Sequence, residues 1–529
     1  MISSVRIKNL RSLADTGFIK LKPITLLLGA NSTGKSTFLR SFLLFTQSMS
    51  KYLRGPILWY DESMVDFGDY DTAKNRYAAD GETIEFAYKI DAPLFGWPKN
   101  PLRKFYDTIL IDGLNDSTFS FSLKNDNSGT YINSIKIDMR NFCLKIEAPE
   151  RTGQLQFEVN GHRVEIDEPV TWDSSSYDNI LPKFDYNYRA YRNIKEDPFL
   201  SRYPIILSKV IEFVKERSDK RLKKDEFAIE VYQSWEPDKD NYLKWLKNKS
   251  SIASFKNYVR DWTEESGEFL TLYYMIALAR LLPVLETVDE ELGAFYSGCS
   301  YIAPTRAGAN RYYRQQELQV SDLDPYGKNL SEFITALPDE MRRSFHDYTM
   351  KVLGVEVDIK TQPGLQSIML KNEKGEFNIS DVGFGYSQIL PIVTKLWYVS
   401  NLGKMGRTGL ARSRNAVDNI VLMEQPELHL HPAYQAKIAD AFVNMMNSEW
   451  NLNNLYCKVK LIAETHSDTI LNRIGRRVRE GYISPDDVNI VLFEKGMGEH
   501  STLVRQTTYN ENGQIKEWPY GFFDPDEDY

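Results

Sequence analysis

A split α/β fold is predicted for this chain of 529 residues, and three features of the sequence predict it. Ile24-Thr25-Leu26-Leu27-Leu28 is a continuous apolar run suited to a strand buried on both faces, and it leads through a glycine-bounded turn into a helical pattern from Lys35 to Met49. From residue 300 onward strand and helix patterns alternate again, with Ile420 to Met423 and Val459 to Ala463 as the clearest buried strands. Between these ends the pattern differs, which predicts one α/β head assembled from both termini around insertions. The expected division is 1–60 for the first half of the head, 61–190 for a β-rich lobe, 191–299 for a helical insertion and 300–529 for the second half.

Each element follows from its pattern. Val5 to Ile7 and Ile19 to Leu21 are short alternating strands ahead of the buried one. From about 80 to 170, runs such as Thr83-Ile84-Glu85-Phe86-Ala87-Tyr88 and Ser134-Ile135-Lys136-Ile137-Asp138-Met139 alternate between Asn, Asp and Gly turns, which is the mark of antiparallel β structure. Helical spacing returns over Ile205 to Val214, and a long apolar helix is expected near 268–286.

Composition bounds the rest. Gly 30, Pro 22 and 42% hydrophobic residues argue for a folded chain. Lys+Arg 65 against Asp+Glu 73 gives a net charge of −8, so bulk charge does not draw the chain to nucleic acid or anionic membrane. Three cysteines, Cys143, Cys299 and Cys457, are too few for a disulfide framework and fit a reducing cytoplasm. The longest apolar stretch, Leu272 to Leu285, contains Arg280 and Pro283, so neither a membrane span nor a secretion signal is expected.

Gly29-Ala30-Asn31-Ser32-Thr33-Gly34-Lys35-Ser36 fits G-x-x-x-x-G-K-S in the strand–turn–helix setting that this motif requires. Its glycines let backbone N–H groups turn toward phosphate oxygens, the helix N-terminus adds a positive dipole end, and Lys35 reaches the β and γ phosphates. Gly29, Asn31, Ser32, Thr33, Gly34, Lys35, Ser36 and Thr37 are therefore the candidate ATP-binding residues, with Ser36 as a magnesium ligand. Glu424 ends the strand Ile420 to Met423, where a P-loop protein holds its magnesium water. His466 follows the strand Val459 to Ala463 and is placed to donate to a γ-phosphate oxygen. His429, His431 and His466 also raise a zinc reading, against which His429 and His431 have a structural one.

With these segments in view, the chain resembles the ABC-type ATPase heads of the recombination-repair and chromosome-maintenance kind, specifically the compact AAA-15 group of bacterial phage-defence systems. Four segments carry the resemblance: Gly29 to Thr37 as Walker A, Ser380 to Pro391 as the signature segment, Met423 to Pro432 as Walker B with its D-loop, and Glu464 to Asp468 as the switch-histidine segment. Tyr301 to Arg306 is similar to the group's mid-chain strand ending in arginine, and Trp518 to Asp524 to its tail. The resemblance implies an ABC-type P-loop head and a head-to-head dimer sandwiching ATP, in which Ser380, Gly383, Gly385, Ser387 and Gln388 of one chain face the nucleotide of the other. The usual L-S-G-G-Q form is absent, so either Ser380 or Ser387 supplies the capping hydroxyl.

Where most such heads carry a catalytic glutamate, this chain has Gln425, which orients water but takes no proton. Slow hydrolysis is expected, with Glu427 as a substitute base; alternatively Gln425 is ordinary for the group and another acid acts. The resemblance implies a cytoplasmic sensor or scaffold, a homodimer or larger homo-oligomer controlling a separately encoded nuclease or toxin. The alternative is a DNA-repair or DNA-end ATPase contacting nucleic acid through Lys215 to Lys224, through Arg407, Arg412 and Arg414, or through Arg473, Arg476, Arg477 and Arg479. A transporter ATPase subunit is the weakest reading, since no membrane-coupling module is evident.

Overall fold

The computed structural model describes residues 2–91, 116–166, 170–177, 179–185, 204–218, 225–248, 253–315, 320, 322–401, 419–447, 459–495 and 501–518. Two compact units divide the chain: Met1–Ile2, Ser50–Leu58 and Thr83–Gly293 form the first, and Ser3–Met49, Trp59–Glu82 and Ala294–Tyr529 the second.

The second unit is an α/β fold built on a mainly parallel sheet with a strand–turn–helix phosphate loop, the class expected from the sequence. Its working elements, in chain order, are β1 (Ile24–Gly29), α1 (Lys35–Met49), β2 (Cys299–Ile302), α2 (Phe384–Ser400), β3 (Asn419–Glu424), α3 (Pro432–Met446), β4 (Val459–Glu464), α4 (Asp468–Arg479), β5 (Val488–Glu494) and β6 (Leu503–Thr507). The strands line up as β2-β3-β4-β1-β5-β6, all parallel except β6, which runs antiparallel to β5. Every residue of β1 and β4 is buried, including Thr25, Lys460 and Glu464, as in strands covered on both faces.

One core binds the layers together. Ile24, Leu26 and Leu28 of β1, Val421 and Met423 of β3, and Leu461 and Ala463 of β4 pack with Leu396 and Trp397 of α2 and Phe442 of α3. Three antiparallel strands, Glu356–Gln362, Leu365–Asn372 and Gly375–Asn378, lead into α2 and so position the signature segment. Residues 61–82, expected in the β-rich lobe, fall in this unit instead. Local hydrogen bonds explain why: Val65 N donates to Gln47 Oε1, Arg11 to the Asp66 carbonyl and Asn75 N to the Asn9 carbonyl.

The first unit holds an antiparallel meander, Ile84–Ile90, Ser117–Asp126, Gly129–Asp138, Cys143–Glu147, Gln156–Val159 and His162–Val164, each strand pairing with the next. Helices follow, the last being Gly267–Ser297, which lies in this unit as far as Gly293 and whose Asp289 accepts the backbone N–H groups of Ile180 and Leu181. By length and composition this helix is apolar enough to cross a membrane, yet 76% of its most apolar 18-residue window is buried inside the protein, as in a core helix.

Candidate nucleotide site

The turn after β1 has room for backbone and little else. Gly29 sits at φ +152° with the Phe493 carbonyl oxygen 2.3 Å from where a Cβ would stand, and Gly34 at φ +101° with Leu13 Cδ2 at 2.5 Å. A side chain at either position would meet both a clash and a strained backbone. Thr33 closes the loop by donating to the Ala30 carbonyl at 2.9 Å, and Thr502 donates to the Thr33 carbonyl at 2.8 Å. Ala30, Asn31 and Ser32 form the exposed tip, and Ser36 and Thr37 are half-buried at the start of α1. No acidic residue occupies the first turn of α1, so the positive end of the helix is left for an anion.

Lys35 is 2% exposed and folds back on its own loop, its Nζ donating to the carbonyls of Gly29 at 2.9 Å and Ala30 at 2.7 Å. Its Nζ also lies 3.8 Å from Glu464 Oε1. Burial lowers the Lys35 pKa, and the Glu464 carboxylate opposes that shift.

The acids are placed differently from the sequence expectation. Glu424 and Glu464 lie side by side in register at the ends of β3 and β4. The Ser36 hydroxyl donates to Glu464 Oε2 at 2.6 Å. Glu424, expected beside Ser36, is instead held by Arg40, whose Nε and Nη2 reach its two oxygens at 2.8 and 2.7 Å, and by the Tyr301 hydroxyl at 2.9 Å. Sheet order is the cause, because β4 lies between β1 and β3 and brings its own terminal acid next to the phosphate loop. Burial, aided by neighbouring Glu424, raises the Glu464 pKa against the pull of Ser36 and Lys35. The bond to Glu424 raises Arg40, and burial raises the Tyr301 phenol.

Sequence reasoning missed Glu464, Arg40 and Tyr301 as site residues. Two signals were there to read: Glu464 ends a buried strand as Glu424 does, and Arg40 lies one helical turn after Ser36, on the same face of α1.

The loops after β3 and β4 are tied together. Gln425 adopts φ +42° and donates its backbone N–H to the Glu464 carbonyl at 2.8 Å. The Glu427 carboxylate accepts from Thr465 Oγ1 at 2.9 Å and from the His466 backbone N–H at 2.7 Å, one bond on each oxygen, and so shapes the histidine loop. Burial raises its pKa, and those two bonds work against the shift. His466 Nε2 is buried and has no hydrogen-bond partner among the described residues, and burial together with the Lys35 charge lowers the imidazole pKa. At neutral pH the ring is therefore uncharged.

Arg306 is the hub beneath these loops. Its guanidinium donates to the carbonyls of Ala303, Pro304, Gln425, Pro426, Leu428 and Gln388, between 2.9 and 3.5 Å, which joins the D-loop to α2. Burial pushes its pKa down to about 10, with Glu427 opposing. His431 caps α3 by accepting the Ala433 N–H on Nδ1, and exposed His429 lies edge-on to Phe384 with 5.8 Å between ring centroids. Among the described residues, no three His, Cys, Asp or Glu side chains form a metal-binding group.

The signature segment divides into exposed and buried groups. Gly383 at φ +92° precedes α2, and Ser380, Gly383 and Phe384 are exposed, Phe384 at 55%. Ser387 and Gln388, expected to face a second chain, are buried. The Ser387 hydroxyl donates to the Phe384 carbonyl at 2.6 Å, and Gln388 Nε2 donates to the Arg306 carbonyl at 3.2 Å. A side chain without exposed surface offers nothing to another chain, which corrects both assignments and leaves Ser380, Gly383 and half-buried Gly385.

The basic runs are mostly engaged or undescribed. Arg473 and Arg477 both pair with Asp440, and Arg476 with Glu480. Of Lys215 to Lys224, residues 219–224 lie outside the described residues, as do Arg407, Arg412 and Arg414.

Comparison with known proteins follows the same line. Residues 1–471 match the family model described as AAA ATPase domain, and residues 483–528 match one described as a protein of unknown function, DUF3696. Comparison with curated proteins gives no match. Among solved structures, an SMC head bound to the C-winged helix domain of ScpA is 12% identical, with 96% of this chain and 97% of that chain covered and a TM-score of 0.35. An SMC head domain from Thermotoga maritima is 7% identical, with 95% and 98% covered and a TM-score of 0.30. Structural likeness at these scores carries no weight, whereas the family match spans most of the 529 residues, and on that match the chain belongs to the AAA ATPase domain family, AAA_15.

Proposed function

We propose that this ATPase binds ATP with magnesium at the loop Gly29 to Thr37 and hydrolyses it slowly. The observation that carries the reading is the convergence of phosphate-binding groups on that loop: the buried Lys35 ammonium at the loop carbonyls, the end of α1 with no acid in its first turn, and the buried His466 Nε2, which has no partner among the described residues. The same groups fit a metal–triphosphate complex, since the Ser36 hydroxyl and a strand-end carboxylate are the donors that hold magnesium in P-loop sites. Magnesium, when bound, supplies charge neutralisation on the β and γ phosphates.

The chain's own residues do the rest. Lys35 leaves the loop carbonyls for phosphate oxygens, and the neutral imidazole of His466 donates to the γ phosphate. Gln425 orients the attacking water without accepting its proton. Glu427 holds the His466 loop through Thr465 and the His466 N–H rather than serving as base. Turnover is expected below about 10 per second, the median for enzymes. His466→Ala should bind ATP within about threefold of the parent while turning over about 100-fold more slowly, as when one transition-state donor is removed. Wild-type turnover in that variant would remove His466 from the mechanism.

Two chains sandwich the nucleotide in this reading, with exposed Ser380 and the Gly383–Gly385 turn capping the phosphate held by the other chain. Mass measurement of the particle is expected to give a dimer or larger assembly with ATP, and a strictly monomeric particle would defeat the sandwich. The nucleotide-held pair then acts in the cytoplasm as a sensor and scaffold that restrains or releases a separately encoded effector in antiviral defence. That role rests on the motif resemblance alone, and co-purification with neighbouring gene products, with and without ATP, tests it.

A further inference from the structure

Two carboxylates and two cations meet at the mouth of the phosphate loop, and they are not equivalent. Glu424 and Glu464 are adjacent in register, with side chains 4% and 5% exposed. Glu424 accepts two guanidinium N–H groups from Arg40 and one hydroxyl from Tyr301, which uses three of the roughly four lone-pair sites a carboxylate owns. Among the described residues, the Glu464 carboxylate accepts only the Ser36 hydroxyl at hydrogen-bond distance, and its cation, Lys35, stands off at 3.8 Å.

We propose that Glu464, rather than Glu424, is the carboxylate that shares the metal with the Ser36 hydroxyl, and that Arg40 and Tyr301 hold Glu424 out of that shell. The assignment rests on the ATP–magnesium reading and names the acid within it. Charge balance drives it. Lys35 directs two of its three donors to loop carbonyls, and a polyphosphate draws its ammonium away from Glu464. A buried carboxylate left without a cation is costly, and a divalent ion beside Ser36 removes that cost. Glu424 meets no such demand, because Arg40 on the same helix as Ser36 remains its partner. Nucleotide and metal therefore bind cooperatively through Glu464, while Glu424 serves as the post to which Arg40 anchors α1.

The test separates metal from nucleotide. Binding of a fluorescent ATP analogue is measured in EDTA, and Mn²⁺ affinity of the ATP-loaded protein is measured by electron paramagnetic resonance, for the parent, Glu464→Gln, Glu464→Asp and Glu424→Gln. In EDTA, Glu464→Gln is expected to bind nucleotide at least as tightly as the parent, since a negative charge beside the phosphates is gone. Mn²⁺ affinity is expected to fall at least tenfold in Glu464→Gln and in Glu464→Asp, whose carboxylate is retracted by one methylene, and to stay within threefold in Glu424→Gln. A loss confined to Glu424→Gln, or equal losses in Glu424→Gln and the Glu464 variants, overturns the assignment. Failure of the parent itself to bind nucleotide in EDTA and in Mn²⁺ overturns the ATP reading, and the assignment with it.

Discussion

Lys35→Ala is expected to weaken ATP binding by about 10- to 100-fold, since a hydrogen bond to a charged group is worth about 1.5–3 kcal/mol. The side chain is buried at the foot of the loop, with its ammonium already desolvated. Moving from the Gly29 and Ala30 carbonyls to phosphate oxygens exchanges neutral acceptors for charged ones, so the gain appears only with ligand. Without ligand the variant should also lose stability, by about 1–3 kcal/mol, because two carbonyls lose a donor and Glu464 its nearest cation. Calorimetric titration with ATP reads the first effect and thermal denaturation without nucleotide the second. Unchanged ATP affinity would remove Lys35 from the site.

The largest structural loss is expected from Arg306→Ala, about 3–5 kcal/mol, the range for breaking a buried charged network. One side chain serves six carbonyls on three segments, and the cavity left behind would orphan several of them at once. Arg306→Lys should recover only part, since an ammonium has three donors where the planar fork has five. The midpoint of urea denaturation measures both variants. Because the D-loop and α2 are joined through this residue, a surviving Arg306→Ala protein should also hydrolyse ATP more slowly than its ATP affinity would suggest. A midpoint shift under about 1 kcal/mol would reduce Arg306 to an ordinary buried side chain.

Much of this was legible beforehand where chemistry is local. Gly29 and Gly34 stand in a motif of fixed spacing, and an unbroken run such as Ile24 to Leu28 fits only a strand covered on both faces. The two buried strands of the second half were readable for the same reason. The partners of the acids were not readable, because hydrogen-bond partners at strand ends depend on which strands are neighbours. Ser387 and Gln388 were misread because a glycine-rich segment suggests exposure throughout, whereas α2 turns both residues inward within its first two turns.

By itself, the sequence determined that this chain is an α/β P-loop protein with its phosphate loop between Gly29 and Lys35, since backbone turning and strand burial leave their pattern in contiguous residues. Only the tertiary structure decided that β4 separates β1 from β3. That order places Glu464 under Ser36 and leaves Glu424 to Arg40 and Tyr301. The physical reason is that parallel strands joined by long crossovers carry no local record of their order in the sheet; packing of whole layers selects it, and the chemistry at the strand ends follows.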